Sequence, residues 1–168
     1  MLTRREQIIK WSVYGAAVLA LTLLFELTLR DVTLLGAGLF LPPLVVGVMA
    51  SLEGARAGAI FAIAYGALCD LTTAGAFPCV YTLAFTLAAI LCAALAQSLL
   101  QQGALCSLAA SALTFLVLDA LQMLALALAH RAAFGAMLSL TARETLVSCP
   151  MLAAVHPVLS HLHRRFTL

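Results

Sequence analysis

Two carboxylates interrupt long apolar stretches of this chain, and they are the side chains best placed to do chemistry. Asp70 ends the segment GAIFAIAYGALCDL, and Asp119 lies with Gln122 in LVLDALQML, three residues apart on one helical face. Ionisable groups are expensive in apolar surroundings, so each should face protein or water. If the two carboxylates met in a polar cavity, they could share a proton or bind a cation or a polar ligand. Alternatively, each accepts hydrogen bonds from nearby hydroxyls or backbone amides, such as those of Thr72 and Thr73.

Small residues precede Asp70 at intervals of four: Gly54, Gly58, Ala62 and Gly66. On a helix such a row forms a continuous ridge along one face. Small side chains turn the ridge into a groove, into which a neighbouring backbone can press closely. We expect this helix to be the tightest packing element, with its groove turned inward, because Asp70 needs shelter from lipid.

The composition excludes a water-soluble domain. Hydrophobic residues make up 64% of the 168 residues, charged residues make up 10%, and the mean hydropathy is +1.11. The net charge of +2 is too small to suggest nucleic-acid binding. The chain has no HExxH, GxSxG or glycine-rich phosphate loop, so neither an enzyme nor a cofactor or metal site is expected.

Apolar periodicity predicts an all-α, polytopic membrane protein with six transmembrane helices in one bundle, a single transmembrane domain over residues 1–168. Pro42 and Pro43 remove backbone donors from the second span, which predicts a kink or a helix that begins at Pro42. Glu53, Gly54 and Arg56 are expected to form a tight polar turn. Residues 130–143 are expected to connect the last two spans along the membrane interface. The six predicted spans are 11–29, 34–52, 54–71, 79–100, 105–129 and 145–162.

Basic residues set the predicted orientation. The cytoplasmic side is the one richer in lysine and arginine. With six spans, one side holds Arg4, Arg5, Lys10, Arg56, Arg164 and Arg165. The other side holds Arg30, Arg131 and Arg143. Both termini are therefore predicted to be cytoplasmic, whereas five spans would leave the C-terminal arginines outside.

The stretch from Leu41 to Leu83 resembles the bacterial rod shape-determining membrane protein family MreD. That family pairs a polar turn with a glycine-spaced helix ending in Asp-Leu, then a small-residue loop and a helix that opens with a Tyr-Thr-like pair. The matching residues are Pro42 or Pro43, Gly54, Gly58, Gly66, Asp70, Leu71, Gly75, Tyr81 and Thr82.

The resemblance implies a noncatalytic scaffold of the cell-elongation machinery in the bacterial inner membrane. Its partner would be an MreC-like single-span membrane protein, with other cell-wall elongation proteins and membrane lipid as further contacts. The resemblance also implies a fold similar to the substrate-binding component of energy-coupling-factor transporters. That similarity supplies the alternative function, a small-molecule (vitamin)-binding membrane subunit of such a transporter.

Overall fold

The computed structural model describes residues 4–28, 33–34, 37–73, 77–98, 103–128 and 134–167. This part of the chain is helical except for a short antiparallel pair, β1 (Thr33–Leu34) with β2 (Ala37–Gly38), and the segments that join elements. A 3₁₀ turn at Cys149–Met151 joins the last two helices. The helices are α1 (Arg4–Thr28), α2 (Pro42–Thr72), α3 (Val80–Ser98), α4 (Ala104–Leu128), α5 (Phe134–Ser148) and α6 (Leu152–Thr167).

Within the described residues, five helical segments are long and apolar enough to cross a membrane. This confirms the coarser part of the prediction, an all-helical protein with several helices able to cross a membrane. The last of them runs through α5, the 3₁₀ turn and α6. The five segments are Arg4–Thr28, Pro42–Thr72, Val80–Gln97, Ala104–Leu128 and Leu138–Arg165.

α2 is not straight, because the chain folds back on itself at Gly54. Gly54 has φ 80° and ψ −179°, a conformation that is essentially restricted to glycine. A Cβ atom built on Gly58 would lie 2.9 Å from the Cα of Ala50. In a straight helix, residues eight positions apart are separated by about 12 Å. The halves of α2, residues 42–53 and 55–72, therefore lie side by side, and they correspond to the second and third predicted spans.

Several predicted boundaries need correction. The second span was predicted from residue 34, but the helix begins at Pro42, the alternative that the two prolines suggested. Proline suits the first helical turn because its missing N–H would have no intrahelical partner there. The sixth span was predicted from residue 145, whereas α5 already begins at Phe134 inside the expected connector. The sequence FGAMLSLTARETL is apolar enough to extend the helix. Predicted span ends at 29, 99–100 and 129 fall outside the described residues.

Close backbone contacts hold the two halves of α2 against their neighbours. A Cβ atom on Gly66 would lie 2.7 Å from the Cα of Thr82 in α3, and one on Gly47 would lie 2.7 Å from the Cα of Ser111 in α4. Ala62 is fully buried. Lacking a Cβ, each glycine lets a neighbouring backbone come into direct contact. The second half of α2 therefore packs on α3, and the first half packs on α4.

The predicted groove needs one further correction, at its first residue. A Cβ atom on Gly54 would meet nothing within 4 Å among the described atoms, so Gly54 does not line a packing groove. Its role is the fold-back. Gly58 and Gly66 contact different partners, Ala50 of the same helix and Thr82 of α3. The row of small residues thus serves two interfaces rather than one.

Hydrogen bonds attach the remaining helices to this centre. The hydroxyls of Thr22 in α1 and Tyr65 in α2 lie 2.9 Å apart. The backbone N–H of Phe40, just before α2, donates to Ser148 Oγ at the end of α5 over 3.2 Å. These bonds connect α1 to the second half of α2 and α5 to the segment just before its first half. α2 and its entrance therefore position the other helices.

We expect Gly66→Ala to destabilise the protein, because its new Cβ would overlap the backbone of Thr82. Overpacking of this kind costs about 1–3 kcal/mol. Gly15→Ala in α1 is the matched control, because nothing lies within 4 Å of the corresponding Cβ position. Thermal unfolding in detergent should show a lower midpoint for Gly66→Ala only. Equal midpoints for both variants would contradict the close contact between α2 and α3.

Candidate functional site

Asp70 caps the beginning of α3. Its Oδ1 accepts a hydrogen bond from the backbone N–H of Tyr81 over 3.0 Å. Its Oδ2 accepts from the backbone N–H of Thr82 over 2.9 Å and from the Thr82 hydroxyl over 2.6 Å. The first N–H groups of a helix lack intrahelical partners, and the helix dipole favours a negative charge there. A carboxylate on α2 therefore satisfies two free donors of α3 and joins the two helices.

The approach to α3 explains why the cap comes from another helix. Cys79, the residue before α3, has φ 64°. This is a left-handed backbone conformation that residues other than glycine rarely adopt. A residue with a short oxygen-bearing side chain would normally cap from this region. Here Asp70 caps the helix instead, although it lies eleven positions before Tyr81 in the sequence. Thr72 and Thr73 were the suggested donors to Asp70, but Tyr81 and Thr82 are its partners, and the Thr72 hydroxyl bonds the carbonyl of Leu68.

A polar cavity of about 220 Å³ lies beside this cap. Asp119 and Gln122, two of the three residues of the predicted polar cavity, line it. Asp70 does not line it, because its carboxylate faces the N–H groups of α3. Tyr81 and Glu144 line it instead, so the tyrosine that donates to Asp70 also borders the cavity. We call this region, with the Asp70 cap, the Asp70 end of the bundle.

Asp119 is only partly satisfied. The Thr141 side chain hydrogen-bonds to it from α5. Its Oδ2 is buried and has no hydrogen-bond partner in the described part of the chain. A buried acceptor without a donor costs about 1–3 kcal/mol, and more when it is charged. Among the described residues, Asp119 Oδ2 is therefore the buried carboxylate oxygen with unused bonding capacity.

A second polar cluster, which the sequence reasoning did not find, surrounds Glu53. Its Oε2 lies 2.6 Å from Lys10 Nζ, and its Oε1 accepts a hydrogen bond from the Tyr14 hydroxyl over 2.8 Å. His163 Nδ1 lies 2.8 Å from the same Oε1. The side chains of Lys10 and Glu53 are only 10% and 7% exposed. Removing one partner of such a buried pair typically costs about 3–5 kcal/mol.

This Glu53 cluster joins three distant parts of the chain. It brings together the start of α1, the fold-back of α2 and the C-terminal part of α6, which we call the Glu53 end of the bundle. The three partners of Glu53 lie 39 to 110 positions from it along the chain. The signal that could have found it was the predicted six-span topology, in which Lys10, Glu53 and His163 would lie at the same membrane face. The sequence reasoning assigned Glu53 only to a local turn.

Buried hydroxyls connect α2, α4 and α6 between the two ends. Ser107 Oγ lies 3.2 Å from Ser51 Oγ and 3.0 Å from His156 Nδ1. The side-chain partner of His156 is therefore a hydroxyl. Two rows at intervals of four, Gly47 with Ser51 and Ser107 with Ser111, would have indicated this interface.

No group of three or more histidine, cysteine, aspartate or glutamate residues that could hold a metal ion occurs in the described ranges. No family model, curated protein or solved structure matches this chain. The resemblance to MreD therefore rests on the residues of Leu41 to Leu83. Of these, Gly66 and Asp70 contact α3, and Gly58 contacts the first half of α2.

We expect Asp70→Leu to lower the free energy of unfolding by about 2–4 kcal/mol, because it removes the acceptor of three hydrogen bonds. Asp70→Asn keeps one carbonyl oxygen and should lose less. Thr82→Val, which removes only the hydroxyl donor, is the matched control and should have the smallest effect. Thermal unfolding in detergent measures the order. If Asp70→Asn and Asp70→Leu both abolished function in stable protein, the negative charge itself would be required.

Proposed function

We propose that this chain is a noncatalytic integral membrane scaffold of the bacterial cell-elongation machinery. It binds an MreC-like single-span partner and supports peptidoglycan synthesis and rod shape. The observation that carries the proposal is the hydrogen-bonded unit of Asp70, Tyr81 and Thr82. These are three of the residues on which the resemblance to MreD rests, and they interact although eleven and twelve positions separate the aspartate from its partners.

The chemistry of the other polar side chains supports a scaffold. The clusters around Glu53 and Ser107 consist of hydrogen bonds and ion pairs between helices. Such bonds fix how helices pack without a hydrophobic force between them. A protein that holds a partner at one place needs a bundle of defined shape, and these contacts provide one.

The proposed topology has six passes through the bacterial inner membrane and cytoplasmic termini. Lys10 and His163 both contact Glu53, so the start of α1 and the C-terminal part of α6 lie at one end of the bundle. The fold-back at Gly54 supports two passes within α2. The first half, residues 42–53, is about 18 Å long, so the passage also needs the segment before Pro42. The proposal includes a fold similar to the substrate-binding components of energy-coupling-factor transporters.

One observation favours the alternative, a vitamin-binding subunit of such a transporter. The cavity bordered by Tyr81, Asp119, Gln122 and Glu144 has the mixture of aromatic and polar groups that ligand sites use. Its volume of about 220 Å³ is below the roughly 300–1,000 Å³ of typical small-molecule sites. The size of this polar cavity therefore weighs against a vitamin bound there.

The topology can be tested with single cysteines at positions 5 and 164, in a variant whose five native cysteines are replaced. We expect both to resist a membrane-impermeant thiol reagent in sealed cells and to react after lysis, because both belong to the Glu53 end. A cysteine at Leu71, 86% exposed at the other end of α2, is the control that should react in intact cells. Labelling of only one terminus in intact cells would contradict the six-pass arrangement.

The function can be tested by depleting the protein in its source bacterium. We expect cells to widen and round, and the tagged protein to recover the MreC-like single-span protein from detergent extracts. Gly15→Ala should restore width and recovery, whereas Asp70→Leu should restore less. Recovery with an ATPase module and a tightly bound small molecule, with cell width unchanged on depletion, would support the transporter alternative instead.

A further inference from the structure

A groove separates α1 from the second half of α2. Hydrogen bonds join α1 to α2 at two levels, from the Tyr14 hydroxyl to Glu53 and between the hydroxyls of Thr22 and Tyr65. Close contacts between the two backbones are few, and a Cβ atom on Gly15 would meet nothing within 4 Å among the described atoms. The groove has a volume of about 460 Å³. Its apolar walls include Gly15, Val18 and Leu19 of α1 and Phe61, Ala64 and Leu68 of α2.

Two polar cavities adjoin this groove at the Glu53 end of the bundle. Trp11 and Ile60 line both the groove and the first cavity, whose volume is about 570 Å³. Gln7 and Trp11 line both the first cavity and the second, whose volume is about 510 Å³. Apolar walls therefore lead directly into polar ones.

The two polar cavities carry a surplus of positive charge. Arg4, Lys10 and Arg56 are the basic residues of their described lining, and Glu53 is its one carboxylate. Both oxygens of Glu53 are already bonded inside the Glu53 cluster. Arg56 is exposed, and no ion pair or hydrogen bond joins it to another described residue. The cavities therefore attract an anion, and Arg56 is available to bind it.

The exposure and the length of the groove fit the acyl chain of a lipid. Leu19 and Ile60, on opposite walls, are 48% and 62% exposed, so the groove is open to the surrounding lipid. From Trp11 to Leu19 the α1 wall rises about 12 Å, and one half of the hydrocarbon core is about 15 Å thick. A transmembrane helix would need a wall along the whole core, about 30 Å. Trp11 stands where the polar and apolar parts meet, a position that tryptophan favours at membrane interfaces.

We propose that the groove and the adjoining polar cavities bind one anionic phospholipid. Its phosphate accepts hydrogen bonds from the guanidinium of Arg56, and an acyl chain lies between α1 and α2. The chain fills a gap in which the two helices would otherwise lose van der Waals contact. Free phosphate has the same anionic chemistry but would leave the groove empty. The inference goes beyond the proposed function and applies equally to a scaffold and to a transporter subunit.

The chain carries its own reporter for this site, because Trp11 is its single tryptophan. The purified protein can be placed in phosphatidylcholine vesicles with a small fraction of phosphatidylglycerol whose acyl chains are brominated, since bromine quenches tryptophan fluorescence on contact. We expect quenching to saturate at a lower fraction than with brominated phosphatidylcholine, and unbrominated phosphatidylglycerol to reverse it. Equal quenching by the two brominated lipids would overturn the proposal. Equally effective reversal by glycerol phosphate would show a phosphate site without a lipid, which would also overturn it.

Arginine substitutions separate a site from general attraction to an anionic surface. Arg56→Gln should weaken the apparent affinity for phosphatidylglycerol about five-fold, the effect of one basic residue near an anionic membrane. Arg5→Gln is the matched control, because Arg5 is exposed in α1 and lies outside the lining of both cavities. It should leave the affinity unchanged. Equal losses in the two variants would show diffuse attraction and overturn the site.

Alanine substitutions test the acyl-chain part of the site. Ala64→Phe should occupy the groove and weaken phosphatidylglycerol binding about five-fold or more, the equivalent of ordinary overpacking. Ala20→Phe is the control, on an exposed position of α1 outside the groove lining, and should bind as the wild-type chain does. Thermal unfolding of each purified variant shows whether the fold is kept. Undiminished binding by folded Ala64→Phe would overturn the groove as the chain site.

Crosslinking in cells distinguishes a lipid from a protein in the groove. A photoreactive amino acid at Leu19 should give adducts richer in anionic phospholipid than those of the same group at Leu116, an exposed position of α4. Adducts of Leu19 with only another protein, or with a second copy of this chain, would overturn the lipid. None of these outcomes depends on recovery of a single-span partner, so failure of the lipid site and failure of the proposed function are distinguishable.

Discussion

The structure depends on close backbone contact around α2. Helices in lipid gain little from hydrophobic burial against one another, so van der Waals contact and hydrogen bonds must hold them together. Gly47, Gly58 and Gly66 provide this contact, each with a neighbouring backbone within 3 Å of where a Cβ would stand. The fold-back at Gly54 allows one helix to offer two such surfaces. α3 and α4 take their positions from them.

The two ends of the bundle solve the problem of polar groups in different ways. At one end, Glu53 accepts from a lysine and a tyrosine in α1 and also contacts a histidine in α6, so one carboxylate joins three elements. At the other end, Asp70 accepts hydrogen bonds from two backbone N–H groups in the first turn of α3. These N–H groups have no acceptor within their own helix. A buried carboxylate is costly alone, and a satisfied one fixes helix positions. Both therefore act in packing.

The sequence predicted what local spacing determines and missed what distant contacts determine. The interval of four leading to Asp70 indicated close packing of Gly58 and Gly66, and the prolines indicated a helix start at Pro42. The same interval wrongly assigned Gly54 to the packing groove. Spacing alone does not distinguish a glycine that packs from one whose positive φ lets the chain fold back. The Glu53 cluster was missed because its members are dispersed along the chain. Residues 134–143 of α5 were assigned to a connector, because the arginine and the glutamate of α5 obscured a helix that continues into α6.

The contrast between Asp70 and Asp119 shows how similar sequence signals acquire different meanings. Both are lone carboxylates in apolar helices, and the sequence treats them alike. Asp70 ends its helix beside the start of another, where free N–H groups use its oxygens. Asp119 lies within α4 beside a helix whose own N–H groups are already bonded, so Thr141 is its described donor and one oxygen stays without a partner. Backbone geometry completes the first site inside the chain. Nothing in the described part of the chain completes the second site in the same way.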